Sequence, residues 1–494
     1  MVKVHDGVER LDVEAVNAKE NRSLYKARVK IFPKRVTGTF RSLKWAVMVI
    51  TLAIYYITPW LRWDRGPHAP DQAVLVDLAN RRFYFFPLEI WPQEFYYVAG
   101  LLILAGVGLF LVTSTVGRAW CGYSCPQTVW VDLFLVVERW LEGDRNARIK
   151  LDKGPWTGDK IRKRVIKHTI WILIAISTGG AWIFYFADAP TLFKNFFTLN
   201  SPFVAYATVG VLTATTYIFA GFAREQICTF ACPWPRIQGA MIDEHSLVVN
   251  YDVKRGEPRT LRKKERLELG DKAGDCVDCN ACVAVCPQGI DIRNGEQLEC
   301  ISCALCIDAC DAVMDKIGKP RGLVSYATFA NRANSVKGVA SPSAWQSFIR
   351  PRTYVYIVGF SAICLAMLVT LLMRDRLDVS VLHDRNPQFV KLSDGSIRNG
   401  FTVKILNMIP QPRTFILSIK GIKGATMEIA GSDKVAAGFI EVKVAPDKLR
   451  ALKVYVTADR KNLASAQNPL QIFVEDTQGS EAAEYSAIFE GPKK

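Results

Sequence analysis

At 494 residues the chain is long enough for about three folded units of roughly 150 residues each. Half of the residues are hydrophobic, 22% are charged, and 63 Lys plus Arg against 47 Asp plus Glu give a formal charge of +16. This excludes a disordered or collagen-like chain and is too apolar for an ordinary soluble enzyme. A basic excess on such a chain points to nucleic acid or to a membrane surface, and the placement of the charges decides between them.

After a basic arm at residues 1–44, four runs carry no Asp, Glu, Lys or Arg: Trp45–Leu61, Phe95–Val116, Thr169–Ala187 and Phe203–Phe222. A fifth is Thr353–Met373. About 20 apolar residues cross a hydrocarbon core of about 30 Å, so the pattern predicts five transmembrane helices. The first run is short, but Trp45, Trp60 and Trp63 stand at its ends as interfacial anchors. Lys and Arg number 11 in residues 1–44, 4 in 62–94, 11 in 117–168, 1 in 188–202 and 18 in 223–352. Under the positive-inside rule this alternation places the N-terminus in the cytoplasm and the C-terminus outside. The positive charge then marks a face beside anionic headgroups, and nucleic acid is not expected as a partner. The arm before the first run lacks a small-residue cleavage site, so no cleavable signal is expected.

Residues 45–250 read as a four-span membrane domain with one phrase written twice. Gly117-Arg118-Ala-Trp-Cys121-Gly-Tyr-Ser-Cys125-Pro126 follows the second span, and Ala223-Arg224-Glu-Gln-Ile-Cys228-Thr-Phe-Ala-Cys232-Pro233 follows the fourth. The arginine stands three residues before the cysteine in one copy and four in the other. Repetition of span, Arg and C-x3-C-P suggests duplication of a two-helix unit. Proline after the second cysteine suits the first turn of a new helix. A helix N-terminus and a nearby arginine both favour thiolate, so Cys121, Cys125, Cys228 and Cys232 are candidates for a soft metal or redox site. Four packed thiols at helix ends are the plainer alternative. Cys364, alone in the fifth span, reads as a small apolar residue. The histidines His5, His68, His168, His245 and His383 are scattered and form no haem pair.

Residues 251–340 hold the strongest motif. Cys276-x2-Cys279-x2-Cys282-x3-Cys286-Pro287 is followed by Cys300-x2-Cys303-x2-Cys306-x3-Cys310. This is the bacterial two-cluster ferredoxin spacing, in which the fourth cysteine of each run serves the other cluster. It assigns Cys276, Cys279, Cys282 and Cys310 to one [4Fe–4S] cluster, and Cys300, Cys303, Cys306 and Cys286 to the second. The fourth cysteine is expected to start a helix. Pro287 fits the motif, and Asp311 departs from it. Disulfides are disfavoured on a cytoplasmic segment, and zinc uses paired C-x2-C without the third step.

From about 375 to 494, stretches such as FTVKILNM, TFILSIKG, FIEVKVAP, LKVYVTAD and LQIFVED alternate apolar and polar residues between turn residues. That pattern predicts an Ig-like β-sandwich. It carries no cysteine and no nucleophile–base arrangement, so docking of a partner or of a second copy is its expected role.

Five spans, two C-x3-C-P motifs, a doubled ferredoxin run and a C-terminal Ig-like domain, in that order, resemble the CcoG/FixG/RdxA family of accessory proteins for cbb3-type cytochrome c oxidase. The membrane half alone is also similar to the quinol-linked polyferredoxins of NapH and NosR type. The first resemblance implies a cupric reductase with two [4Fe–4S] clusters on the eight cysteines above. Copper would be its substrate, reduced from Cu(II) to Cu(I) at Cys121, Cys125, Cys228 and Cys232. It implies oxidase assembly factors or copper carriers, a cytoplasmic electron donor, the lipid bilayer and a second copy of the chain as partners. It also implies a multi-pass place in the bacterial inner membrane with the last domain periplasmic. A quinol-linked electron-transfer subunit and a non-catalytic redox-sensing scaffold are the rival readings.

Overall fold

The computed structural model describes residues 3–5, 8–18, 29–260, 267–337, 349–431, 435–436, 438–479 and 481–492. The predicted ferredoxin boundary at residue 340 lies outside them. The chain divides into two units: Met1–Leu61, Val74–Asn80 and Glu94–Ala366 form the first, and Arg62–Ala73, Arg81–Gln93 and Met367–Lys494 the second.

Among the described residues, five helices are long and apolar enough to cross a membrane: Thr39–Trp60, Pro92–Val116, Gly158–Ile183, Phe203–Ala223 and Pro351–Leu372. Each contains most of one predicted run, with shifted ends. Helix α1 (Thr39–Ile57) begins ahead of Trp45 because its first turn is capped from a distance. The Asp308 carboxylate accepts the N–H groups of Phe40 at 3.2 Å and Arg41 at 2.7 Å.

Helix α2 (Tyr96–Val116) leads through a short α3 (Ala119–Tyr123) into α4 (Pro126–Glu142) and α5 (Arg145–Lys153). Pro126 occupies the first turn of α4 and Cys125 its N-cap, as the motif predicts. Helix α4 is amphipathic and buries carboxylates, each matched by cations. Asp132 lies 2.7 Å from Arg41, and Glu138 lies 2.9 Å from Arg148 and 2.8 Å from Arg224.

Helix α6 (Gly158–Ile183) starts well before the predicted Thr169. Its basic first turns are stabilised by burial against partners. The Lys160 ammonium donates to the carbonyls of Asp152 and Gly154 at 3.0 and 2.7 Å, and Lys167 meets Glu142 at 2.9 Å. A short α7 (Ala189–Phe197) then precedes α8 (Phe203–Thr216). Span four runs on from α8 as a π-helical stretch, Tyr217–Ala223, with a second one at Ile227–Ala231, and α9 (Trp234–Met241) follows.

Strands β1 (Val248–Tyr251) and β2 (Val324–Ala327) pair antiparallel, with Val248 opposite Ala327 and Tyr251 opposite Val324. They tie together the two ends of the segment that carries the eight ferredoxin cysteines. Helices α10 (Ala281–Val285) and α11 (Leu305–Lys316) lie inside that segment, and α12 (Pro351–Leu372) is the fifth apolar helix. The N-terminal arm lies along the cysteine segment. The amides of Leu11, Asn17 and Lys34 donate to the carbonyls of Cys279, Gly289 and Ala284 at 3.0, 3.0 and 2.8 Å.

In the second unit, β3 (Leu377–His383), β4 (Ile397–Asn407), β5 (Arg413–Lys420), β6 (Thr426–Ile429), β7 (Phe439–Val444), β8 (Leu449–Ala458), β9 (Gln467–Asp476) and β10 (Ala482–Glu490) build a sandwich. One sheet runs β6-β8-β4-β3 and the other β7-β5-β9-β10, all antiparallel. Alternate residues turn inward and make one core that includes Phe401, Val403, Phe415, Leu417, Val456 and Phe489. A hairpin from the loop between the first two spans, Arg82–Phe85 and Leu88–Ile90, belongs to this unit.

Candidate redox centre

The two ferredoxin runs fold into matching loops. Asp278 and Asn280 flank Cys279 with φ of +49° and +57°, and Ser302 and Ala304 flank Cys303 with φ of +52° and +60°. Left-handed residues on both sides of the middle cysteine curl each loop so that its amide groups turn inward, as anion-binding nests do. Cys276, Cys279, Cys282 and Cys310 line one apolar cavity. Cys286, Cys300, Cys303 and Cys306 line another, which Cys282 also borders. The structure therefore brings together the two predicted sets, each with its fourth cysteine from the other run.

One expectation is corrected. Neither fourth cysteine starts a helix: Cys286 closes α10 at its C-terminal end, and Cys310 sits inside α11. A mid-helix position leaves no place for the motif's proline. Asp311 stands there and accepts the amide of Gly322 at 2.9 Å, which ties down the loop after α11. Burial pushes the free thiols up, to about 12 at Cys286 and Cys310 and to about 11 at Cys300. Arg293 also lines the first cavity and is fixed by Asp278 at 2.7 Å, Asp291 at 2.7 Å and the Asn280 side-chain oxygen Oδ1 at 2.8 Å.

The fit to an iron–sulfur cubane is chemical. A cubane is held by four thiolates, and the first cavity presents four cysteines and the second five, counting the shared Cys282. Among the described residues no three His, Cys, Asp or Glu converge closely enough to hold a single metal ion.

The membrane cysteines come together as well. Cys121 feels Cys125, Cys228 and Cys232, and Cys228 feels Cys125 and Cys232. Cys121 packs in one buried cluster with Ile301, Cys303 and Leu305, against the second ferredoxin loop. Cys228 shares a pocket with Pro287, Gln288 and Ile301 of the same segment. The approach is close: a Cβ on Gly122 would stand 2.6 Å from the Ile301 carbonyl oxygen and 2.9 Å from the Cys303 Cα.

Here the thiolate expectation fails for two of the four. Burial, with the neighbouring thiols adding to it, pushes Cys121 and Cys228 up to about 12, and the opposing pull of Arg118 on Cys121 is smaller. Gln238, outside the motifs, and Arg118, within the first of them, complete the site. The Cys121 thiol donates to the Gln238 side-chain oxygen at 3.0 Å, and the Gln238 amide nitrogen donates to Thr113 at 3.2 Å. Arg118 donates to the carbonyls of Leu298, Cys300 and Pro235, at 3.2 Å to Cys300 and 2.8 Å to Pro235. Nothing in the local sequence marks Gln238. Arg118 was visible, but its carbonyl partners lie more than a hundred residues away. His168 and His383 bond to Tyr217 and Asn399 at 2.9 and 2.8 Å and stand apart from the cysteines.

Family models agree with this geometry. A 4Fe-4S dicluster domain matches residues 223–329, a 4Fe-4S binding domain residues 98–144, and the Ig-like fold at the C-terminal of FixG residues 367–492. With five apolar helices, these define an integral membrane iron–sulfur redox protein. Nitrogen fixation protein FixG of Rhizobium meliloti (strain 1021) is 58% identical, covering 98% of this chain and 97% of its own length. Protein RdxB of Cereibacter sphaeroides is 52% identical over 96% of this chain and 98% of its own, and RdxA of the same organism is 50% identical. The chain belongs to the FixG/Rdx family. A crystal structure of a FixG-related protein from Vibrio parahaemolyticus covers 24% of this chain and 97% of its own, at 23% identity and a TM-score of 0.21.

Proposed function

We propose that this chain is a membrane-bound cupric reductase. In this reading it takes single electrons from a cytoplasmic donor and reduces Cu(II) to Cu(I) for insertion into a cbb3-type cytochrome c oxidase. The observation that carries the reading is the packing of Cys121 with Cys303 and Cys306, and of Cys228 with Ile301, on the second ferredoxin loop. Cys276, Cys279, Cys282 and Cys310 would hold one [4Fe–4S] cluster, and Cys286, Cys300, Cys303 and Cys306 a second. Bound there, such clusters supply one-electron storage and transfer.

In this reading copper is reduced at the thiols of the two C-x3-C-P motifs, held by fewer than three of them at once because, among the described residues, no three converge on a single ion. Cu(II) suits nitrogen and oxygen ligands, whereas Cu(I) suits thiolates, so a thiol set binds the product ion more tightly than the substrate ion. Each Cu(II) gains one electron and the donor loses one. Gln238 orients Cys121, and Arg118 keeps the ferredoxin loop against α3. The alternation of basic and non-basic segments supports placing the cysteine sites on the cytoplasmic side and the Ig-like domain in the periplasm. There the Ig-like domain would meet oxidase assembly factors, copper carriers or a second copy of the chain.

The test is copper reduction by the purified, anaerobically reduced chain, followed with a Cu(I)-selective dye. Serine at all four membrane positions is expected to abolish copper reduction and copper binding while the ferredoxin iron stays. If both are unchanged, copper chemistry belongs elsewhere. A second reading has one observation in its favour, since the 4Fe-4S binding domain match at 98–144 includes Cys121 and Cys125. If the four-serine variant instead loses about one cluster's worth of iron, the membrane thiols hold a further cluster.

A further inference from the structure

A large cavity lies in the first unit away from every cysteine. Its walls come from α1, α6, α7 and α8: Tyr56 and Trp60 just at and after the end of the first span, Ser177, Gly180 and Phe184 at the end of the third, and Phe193 on α7 among them. The cavity measures ≈ 360 Å³. Ligand pockets commonly span about 300–1,000 Å³.

The local sequence explains the lining. Asp188 caps α7 by accepting the Thr191 amide at 3.1 Å, and the one-turn spacing of Phe193 and Phe197 brings their rings to 4.9 Å. Trp60 meets Phe184 at 5.3 Å and Phe193 at 5.8 Å, both edge to face. The wall is therefore a set of aromatic faces and edges with one polar spot. That spot is the Tyr56 hydroxyl, 3.3 Å from the Ser177 hydroxyl and 3.1 Å from that of Thr178.

We propose that this cavity binds the ring of an isoprenoid quinone, packed against the cluster of Trp60, Phe184 and Phe193, with a ring oxygen accepting from the Tyr56 hydroxyl, since the Ser177 hydroxyl already donates to the Ile174 carbonyl at 2.8 Å. A fatty acyl chain would need neither the rings nor the hydroxyls. A quinone uses both, because its planar ring packs on aromatic side chains and its carbonyl oxygen accepts a hydrogen bond from a hydroxyl. Its tail leaves toward lipid past Leu173 and Ile176, which are 59% and 41% exposed. The cavity is also joined to the cysteine site by rings in contact. Tyr56 meets Tyr55 at 5.2 Å, Tyr55 meets Trp130 at 5.7 Å, and Trp130 stands in the second turn of α4, whose N-cap is Cys125. The inference is independent of the copper reading, since it concerns occupancy of the cavity alone.

The experiment uses the full chain in lipid nanodiscs. Decylubiquinone is titrated against tryptophan fluorescence, with decanol as a tail of the same length lacking the ring, and co-purifying quinone is measured by solvent extraction. Wild type is expected to bind decylubiquinone more tightly than decanol and to carry quinone through purification. Gly180→Leu is the blocking variant, because a Cβ there meets nothing within 4 Å and the side chain grows into the cavity. It should weaken decylubiquinone binding by about tenfold or more. Gly106→Leu, on the second span with equally open space, should leave it unchanged. Should Gly180→Leu fold poorly, Tyr56→Phe keeps the shape, removes the hydroxyl and should weaken binding several-fold. Equal binding of decanol and decylubiquinone would mean that a lipid chain fills the cavity, and unaltered binding in both variants would likewise overturn the proposal.

Discussion

The two copies of the cysteine phrase look like one device in the sequence, yet they are built and used differently. In the first, Gly117 takes the left-handed turn at φ +60°, and in the second Arg224 takes it at +41°. Counted from that turn residue, the first cysteine comes four positions later in both copies. The common register is therefore a backbone turn, which the arginine follows in the first copy and itself occupies in the second. Arg118 reaches out to the carbonyls of Leu298 and Cys300 at the second ferredoxin loop and of Pro235 on α9. Arg224 turns inward and pairs with the Glu138 carboxylate at 2.8 and 3.2 Å. One fastens the ferredoxin-cysteine segment to the start of α3, and the other neutralises a buried charge on α4. Both copies still close on a bond spanning five residues: Cys125 donates to the Trp120 carbonyl at 2.9 Å, and Cys232 to that of Ile227 at 2.8 Å.

The sharpest way to break this comparison is to remove each arginine. Arg224→Ala leaves Glu138, 2% exposed, with fewer cations, and should cost about 3–5 kcal/mol in thermal or denaturant unfolding of the membrane unit. Arg118→Ala orphans carbonyls instead and should cost about 1–3 kcal/mol for each one left without a partner. Its signature should be a loss of iron from the ferredoxin segment. Equal effects of the two variants on iron content would contradict the division of labour.

A smaller effect is expected at Gly122. Alanine there pushes on the backbone of Ile301 and Cys303, which cannot turn away as a side chain can. The expected cost is about 1–3 kcal/mol, with reduced iron and acid-labile sulfide per chain. Gly106→Ala, with nothing within 4 Å of its Cβ, is the control and should be neutral in both measurements.

The smallest effect concerns pH and contrasts Glu138 with Glu89, a carboxylate of the other unit. Against the cost of burial, Arg224, Lys167 and Arg148 hold Glu138 down to about 2. Its contribution to stability is present above its ordinary value of 4.5 and is lost only as pH falls through about 2. Glu89 pairs with Arg82 at 3.1 Å, which also lies 3.7 Å from Asp447, and Arg65 adds only a weaker pull. Burial first, and Asp447 second, push Glu89 up to about 7. Its contribution is full below 4.5 and is lost as pH rises through about 7, the opposite sign. Glu89→Gln should raise the thermal midpoint of the Ig-like unit at about pH 8 and flatten its pH profile between about 5 and 8. An unchanged slope would mean that the Asp447 carboxylate carries the titration.

Much of this molecule was legible as pattern. Runs of about 20 apolar residues can satisfy their backbone only as helices in lipid, so all five predicted spans coincide with helices. Alternation of period two gave the strands, because successive side chains of a strand face opposite sides. Cysteine spacing named the two sets that line the two cavities, because gaps of two residues fit one tight loop. Spacing did not reveal that Cys286 ends a helix and Cys310 lies within one, since the same count of residues suits either.

Other features depend on residues far apart in the chain. The start of α1 is set by Asp308, and the early start of α6 by Glu142 and the carbonyls beside it. The high thiols of Cys121 and Cys228 come from burial against the ferredoxin segment, which outweighs the arginine that the motif advertises. The roles of Arg118, Arg224 and Gln238 were decided in the same way. The sequence by itself determined which elements form and which cysteines belong together, because those follow from local geometry and periodicity. Only the tertiary structure decided what surrounds each charge and thiol, because burial and pairing energies depend on neighbours that no local pattern records.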